Sequence, residues 1–122
     1  MPLVDIEITL KYREKLPINL ASVLADELGK IFKSPPSTTW VKLYGLSENH
    51  YAENDRSLEG GAHPVFVRII KSEVPETITL EHEVKEITRT VAKICKRPTE
   101  NVHIIYEPEG RGRVSFGGKM VT

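Results

Sequence analysis

Two pairs of prolines recur at one fixed interval, and that recurrence constrains the fold more than any other feature of the chain. Pro2 and Pro64 each precede a run of strand-forming residues. Pro36 and Pro98 each follow an amphipathic stretch and precede another such run. Within each pair the separation is 62 residues in a chain of 122, so the sequence holds two copies of one strand–helix–strand pattern.

In the first copy, Val4, Ile6, Ile8 and Leu10 alternate with Asp5, Glu7 and Thr9, the period of a strand with one buried face over Leu3 to Leu10. A polar stretch, Lys11 to Lys15, hands over to a helix starting near Pro17 or Asn19. There Leu20, Leu24, Leu28 and Ile31 form the apolar stripe, widened by Val23. Ser34-Pro35-Pro36-Ser37 ends it, because proline lacks the amide proton and restricts its predecessor. Thr39 to Leu46 is the second strand.

In the second copy, Pro64 to Lys71 is rich in β-branched and aromatic residues and reads as a strand. Thr79 is placed to cap a helix, with Glu81 and Glu83 in its first turn and a stripe of Leu80, Val84, Ile87, Val91 and Ile94. Lys93, Lys96 and Arg97 suit the negative end of its dipole. Val102 to Glu107 follows as a strand. A turn at Gly110 to Gly112 leads to a short strand at Val114 to Phe116, ended by Gly117-Gly118. The linker between the copies, Ser47 to His63, is long and polar, a length typical of functional loops.

A β-α-β crossover makes its two strands parallel and lays the helix on one face. The pattern therefore predicts an α+β fold: one domain over residues 1–122, with repeats of about 1–60 and 61–122. Its four-stranded sheet carries both helices on one side. Val, Ile and Leu occur on both faces of the later strands, so the uncovered face is expected to pack against another copy of the chain.

Seventeen basic residues balance seventeen acidic ones, and no basic stripe with interleaved aromatics occurs, so nucleic acid is not an expected partner. Apolar runs are too short for a membrane span. The single cysteine, Cys95, rules out an internal disulfide and fits a cytoplasmic protein. It reads as core filler without an activated thiolate. His50, His63, His82 and His103 lack metal-ligand spacing, and neither a phosphate loop nor a dinucleotide fingerprint is present, so no metal and no cofactor are expected.

Pro2 carries the sharpest chemical signal. Methionine before proline is commonly trimmed, which leaves a rigid secondary amine at the start of the first strand. An α-amino group titrates near 8 in water. Burial or a nearby positive charge lowers that value, and the amine can then serve as a general base near neutral pH. If Met1 is retained, the same nitrogen is a tertiary amide without basicity. A Met-Pro start also occurs in many chains by chance.

The segment from Arg97 to Gly118, RPTENVHIIYEPEGRGRVSFGG, resembles the strand, turn and glycine pair that end the 4-oxalocrotonate tautomerase subunit. The first half, with Pro2 leading its strand and a PPS segment after the helix, is similar to macrophage migration inhibitory factor. The tandem length also matches the malonate semialdehyde decarboxylase branch of the same tautomerase superfamily. The resemblance implies a homotrimer with sheets inside and helices outside. It also implies a proline base at each subunit boundary and a small anionic substrate, a keto-enol or unsaturated carboxylic acid.

Carried over position by position, Pro2 takes the catalytic place, and Lys33, Lys71, His103 and Arg113 are candidates to hold the substrate. Each also has a plainer reading. Lys33 and Lys71 lie near element ends, where lysines are usually solvated. A strand histidine often packs, and Arg111 and Arg113 flank a glycine turn that arginine commonly solubilises. His50 and Tyr51 could cover a pocket or simply pack, and Trp40 reads as packing. A related decarboxylase or hydratase would use the same proline as an acid, or as an amine attacking a carbonyl. The alternative to an enzyme is a non-catalytic module of the same fold that binds a small ligand or serves as an assembly platform.

Overall fold

The computed structural model describes residues 1–56 and 61–122; residues 57–60, within the linker expected at Ser47 to His63, lie outside the described residues. The elements are β1 (Leu3–Leu10), α1 (Leu20–Phe32), β2 (Trp40–Ser47), β3 (Val65–Ile70), α2 (Thr77–Cys95), β4 (Val102–Tyr106) and a small hairpin, β5 (Ser115–Phe116) and β6 (Lys119–Met120). The main sheet has the order β2-β1-β3-β4. β1 runs parallel to β2, and β3 parallel to β4, as two crossovers require. The two halves join where β1 meets β3, antiparallel, with Leu3 opposite Ile70 and Ile6 opposite Val67.

Alternation along the two central strands builds the core. Val4, Ile6 and Ile8 from β1 and Val65, Val67 and Ile69 from β3 are all but inaccessible to solvent. They meet Leu24 and Leu28 of α1 and Ile87 and Val91 of α2. Burying each such side chain stabilises the fold by about 1.5–3 kcal/mol before the cost of ordering it. The two halves thus share one core.

Both helices end alike. Lys33 and Lys96 occupy the left-handed region, with φ of 54° and 56°. The amide of Ser34 reaches back to the Gly29 carbonyl, and that of Arg97 to Ala92, each at 2.9 Å. This closure satisfies terminal carbonyls but usually employs glycine, so each lysine adopts a costly conformation.

One expectation needs correction and two gain detail. Helix α2 starts at Thr77, with Glu76 extended at the cap position and making no side-chain cap bond, so Thr79 lies inside the first turn. Gly117 and Gly118 end the short strand β5, as expected, and a further strand, β6, follows them. With φ of 57° and 88° they supply the paired left-handed residues of a tight hairpin, turning β5 back onto β6. The uncovered sheet face carries charges as well as exposed apolar side chains, among them Trp40, Tyr44 and Ile105. Cross-strand register lays Lys42, Asp5 and Arg68 in one row and Tyr44, Glu7, Phe66 and His103 in the next. Leu3 and Ile70 form the apolar end beside Trp40.

Arg97 is a buried polar tie between the halves. Its side chain is 1% exposed, against 24% for its partner Glu14. Nε donates to the His63 carbonyl at 2.8 Å, and Nη2 donates to the Thr9 carbonyl at 2.8 Å. Nη1 donates to the Cys95 carbonyl at 3.0 Å. The same two terminal nitrogens clasp Glu14 at 3.0 and 2.7 Å. All five donors of the guanidinium are thereby used. This guanidinium holds Glu14's carboxyl below its ordinary range.

Candidate functional site

Pro2 lies at the start of a central strand, buried, with its carbonyl accepting the Trp40 amide at 3.0 Å. Alternation directs it with Val4 toward the helices. The last pair of the β1–β3 ladder is Leu3 with Ile70, so one step further Pro2 stands opposite Lys71.

Lys71 is not a solvated strand-end lysine. Its Nζ lies 2.9 Å from Glu83 Oε1 and 5.1 Å from the centre of the Phe32 ring. The Lys71 and Glu83 side chains are only 18% and 10% exposed. The second oxygen of Glu83 accepts a hydrogen bond from the Tyr106 hydroxyl. Burial, and then the hydrogen bond to Glu83, push the Tyr106 phenol far above its ordinary value. A cation just past β3, a carboxylate of α2 and a phenol of β4 therefore form one partly buried group, which the β1–β3 register, extended by one step, sets across from Pro2.

Glu83 and Tyr106 were missed as site residues, although the sequence held a signal for Glu83. It falls three residues after Leu80 and four before Ile87, on the apolar stripe of α2, where a carboxylate must find a partner. Tyr106 gave no comparable signal, since a strand tyrosine usually packs.

Lys33, the left-handed end of α1, is exposed and shares a groove with Glu83, Ile31, Ile78 and His82. It makes no ion pair among the described residues. His103 lies on the opposite face of the sheet. Its ring is 5.4 Å from Phe66, whose own ring is 6.0 Å from Tyr51. Arg113 is exposed in a cleft on that same open face, with Leu3, Ile70 and Gly110. One chain thus gathers Pro2, Lys71 and the Lys33 groove at one end of the helix-covered face, and leaves His103 and Arg113 on the other face.

Met1 also has a defined place. A Cβ added to Gly110 would lie 2.5 Å from Met1 Cε and 2.9 Å from its sulfur, so the methionine side chain rests on the Gly110 backbone. Arg111 pairs with Glu73. The Tyr51 hydroxyl donates to Glu53 at 2.5 Å. Trp40 packs edge-on against Phe116 at 4.8 Å while its indole N–H donates to the Ser37 carbonyl. Burial pushes the Cys95 thiol up to about 11, which leaves it protonated at neutral pH. Among the described residues there is no cluster of three or more metal-ligating side chains, and no helix is long and apolar enough to cross a membrane.

By sequence, no family model and no curated protein matches the chain. Solved structures do match by shape. Macrophage migration inhibitory factor from Oncomelania hupensis superposes with a TM-score of 0.75 at 14% identity, over 98% of this chain and 81% of that one. Pt0534, crystallised after inactivation by 2-oxo-3-pentynoate, gives 0.76 at 15% identity over 98% and 94%. A fused 4-OT solved as a symmetric trimer gives 0.73 at 13% identity over 98% and 94%. The chain has the tautomerase fold. At such identities the likeness is one of fold. The roles of residues within that tautomerase fold rest on the geometry above.

Proposed function

We propose that this chain is a cofactor-independent isomerase of the tautomerase type, acting on a small keto-enol or unsaturated carboxylic acid. Its base is the secondary amine of Pro2, freed by removal of Met1. The observation that carries this reading is the position of Pro2: buried at the head of a central strand, opposite Lys71, in a fold shared with Pt0534, which 2-oxo-3-pentynoate inactivates. Once Met1 is gone, the amine is held without side-chain freedom. Removing a proton from a carbon next to a carbonyl then requires only correct aim and a cation to stabilise the enolate.

In this reading residues 1–122 work as one domain of two repeats, in the cytoplasm, and three copies form the functional unit. The trimeric fused 4-OT supports that assembly, and so does the split of candidate residues between the two sheet faces. Lys33 and Lys71 serve the pocket of their own chain, while His103 and Arg113 reach that of a neighbour.

The test compares protein verified by mass to begin at Pro2 with protein carrying an N-terminal tag, using phenylpyruvate as substrate. Loss of the base removes roughly a hundredfold to ten-thousandfold of rate. Equal turnover by the two proteins refutes the proposal. A second reading is favoured by the packing of Met1 on Gly110. If Met1 is retained in the native protein, the fold serves as a non-catalytic module that binds a small ligand.

A further inference from the structure

The Lys71–Glu83–Tyr106 group has more in it than a substrate-holding lysine requires. A lysine meant only to catch a carboxylate would point its ammonium at open space. Here the ammonium is already paired, at 2.9 Å, with a carboxylate that is itself 10% exposed and fixed by a tyrosine hydroxyl. The pair crosses from the strand to α2, and Phe32 at the end of α1 covers the ammonium.

We propose that Glu83 is a positioning residue that sets the charge felt by the N-terminal amine. With Glu83 ionised, Lys71 and Glu83 together present almost no net charge to Pro2. Without Glu83 the same ammonium would act on the amine as a bare positive charge. This inference rests on the reading of Pro2 as a free amine.

The surroundings leave the pair as the dominant local charge. From β1, Val4 shares the helix-covered face with Pro2, and β2 lends that face Val41 and Leu43; none of the three carries charge. From β4 comes Tyr106, a neutral phenol. The end of α1 supplies Lys33, and α2 supplies Glu81, His82, Lys85 and Glu86, which line the outer groove together with Glu83. Among the described residues none of them forms an ion pair with Lys71 or Glu83, and His82 faces Glu86 instead. Beyond β3, Glu73 is occupied by Arg111.

Cross-strand neighbours in an antiparallel pair are about 5 Å apart at Cα, and a lysine side chain adds roughly 6 Å of reach. A unit charge within such a distance shifts an amine by about one pH unit at the effective dielectric of a protein's edge.

The experiment titrates the Pro2 amine directly, by the nitrogen chemical shift of 15N-labelled proline in protein beginning at Pro2. Glu83→Gln keeps the shape and removes the compensating charge, so the amine should titrate about one unit lower. Lys71→Met leaves the carboxylate uncompensated, so the amine should titrate higher. The double variant Lys71→Met/Glu83→Gln should return close to the wild-type value. Opposite signs from the single variants, with cancellation in the double, are not produced by loosened packing, and either single variant suffices if the other does not fold. An unchanged titration, or shifts of the same sign in both, overturns the proposal. Because the amine is read without turnover, the coupling can stand while Pro2 fails as a base. Phenylpyruvate kinetics on the same samples shows which has happened, since the pH–rate limb follows the amine only if Pro2 is the base.

Discussion

Replacing Arg97 with alanine tests whether the buried clamp, as well as the shared core, holds the two halves together. The substitution strands three carbonyls, those of Thr9, His63 and Cys95, and leaves Glu14 without its bidentate partner. Removing one member of a buried ion pair costs about 3–5 kcal/mol, because the remaining group stays desolvated. Glu14, at 24% exposed, can recover some water, which argues for the lower part of that range. For a chain of this length each kcal/mol moves the melting temperature by about 3–5 °C, so Arg97→Ala should melt about 10–15 °C below wild type. Arg97→Lys keeps a charge but not the planar fork and should fall between the two.

The clamp also fixes the sign of a pH effect. Glu14's carboxyl is held below its unfolded value, first by the hydrogen bond to Arg97. Its contribution is therefore complete above the unfolded pKa, near 4.3, and is lost as pH falls through the lower folded value. Thermal melts followed by circular dichroism from pH 7 to pH 3 should show an acid-side loss that is smaller in Glu14→Gln. An Arg97→Ala protein melting within about 2 °C of wild type would refute the assignment, as would an unchanged acid limb in Glu14→Gln.

Other consequences are simpler to check. Gly110→Ala should lower stability by about 1 kcal/mol while Met1 is present, since the new Cβ would meet Met1 Cε at 2.5 Å; the loss should largely disappear in protein beginning at Pro2. Lys96→Gly removes a side chain from a left-handed position and should raise stability by about 0.5–1 kcal/mol, read as a higher denaturation midpoint. Because burial raises the Cys95 thiol to about 11, a thiol reagent at pH 8 should react with it only on unfolding, so labelling should follow denaturant-induced unfolding.

The repeat was legible because it is written in coarse physical terms. Alternation in Leu3 to Leu10, an apolar stripe at helical spacing and prolines at element ends each force a backbone choice with little help from distant residues. Boundaries set by backbone closure were harder to read. Lys33 and Lys96 end their helices in a conformation that no sequence rule assigns to lysine, and the Gly117-Gly118 turn is recognisable only once a returning strand is supposed. Arg97 shows the limit most clearly. At the end of a helix it reads as a dipole partner, and nothing local reveals that Thr9, Glu14 and His63 converge on it from 34 to 88 residues away.

For the site, sequence supplied candidates but not their grouping, because grouping depends on strand parity in register. Pro2 and Lys71 face the helices together since Leu3 pairs with Ile70. His103 is excluded from that side since it pairs with Phe66, whose side chain faces away from the helices. A one-residue slip in either ladder would reverse both statements. The same parity shows what the proposed assembly would have to bury. The uncovered face carries Lys42, Asp5 and Arg68 in a row, with Asp5 3.3 Å from Lys42 and Arg68 2.6 Å from Glu107. Such paired charges remain soluble without a partner. In the proposed trimer the apolar contribution would come from Leu3, Ile70 and Trp40, with Tyr44 and Ile105 further along the face, and an interface that buries the end at Leu3 and Ile70 would also cover the strand end where Pro2 lies.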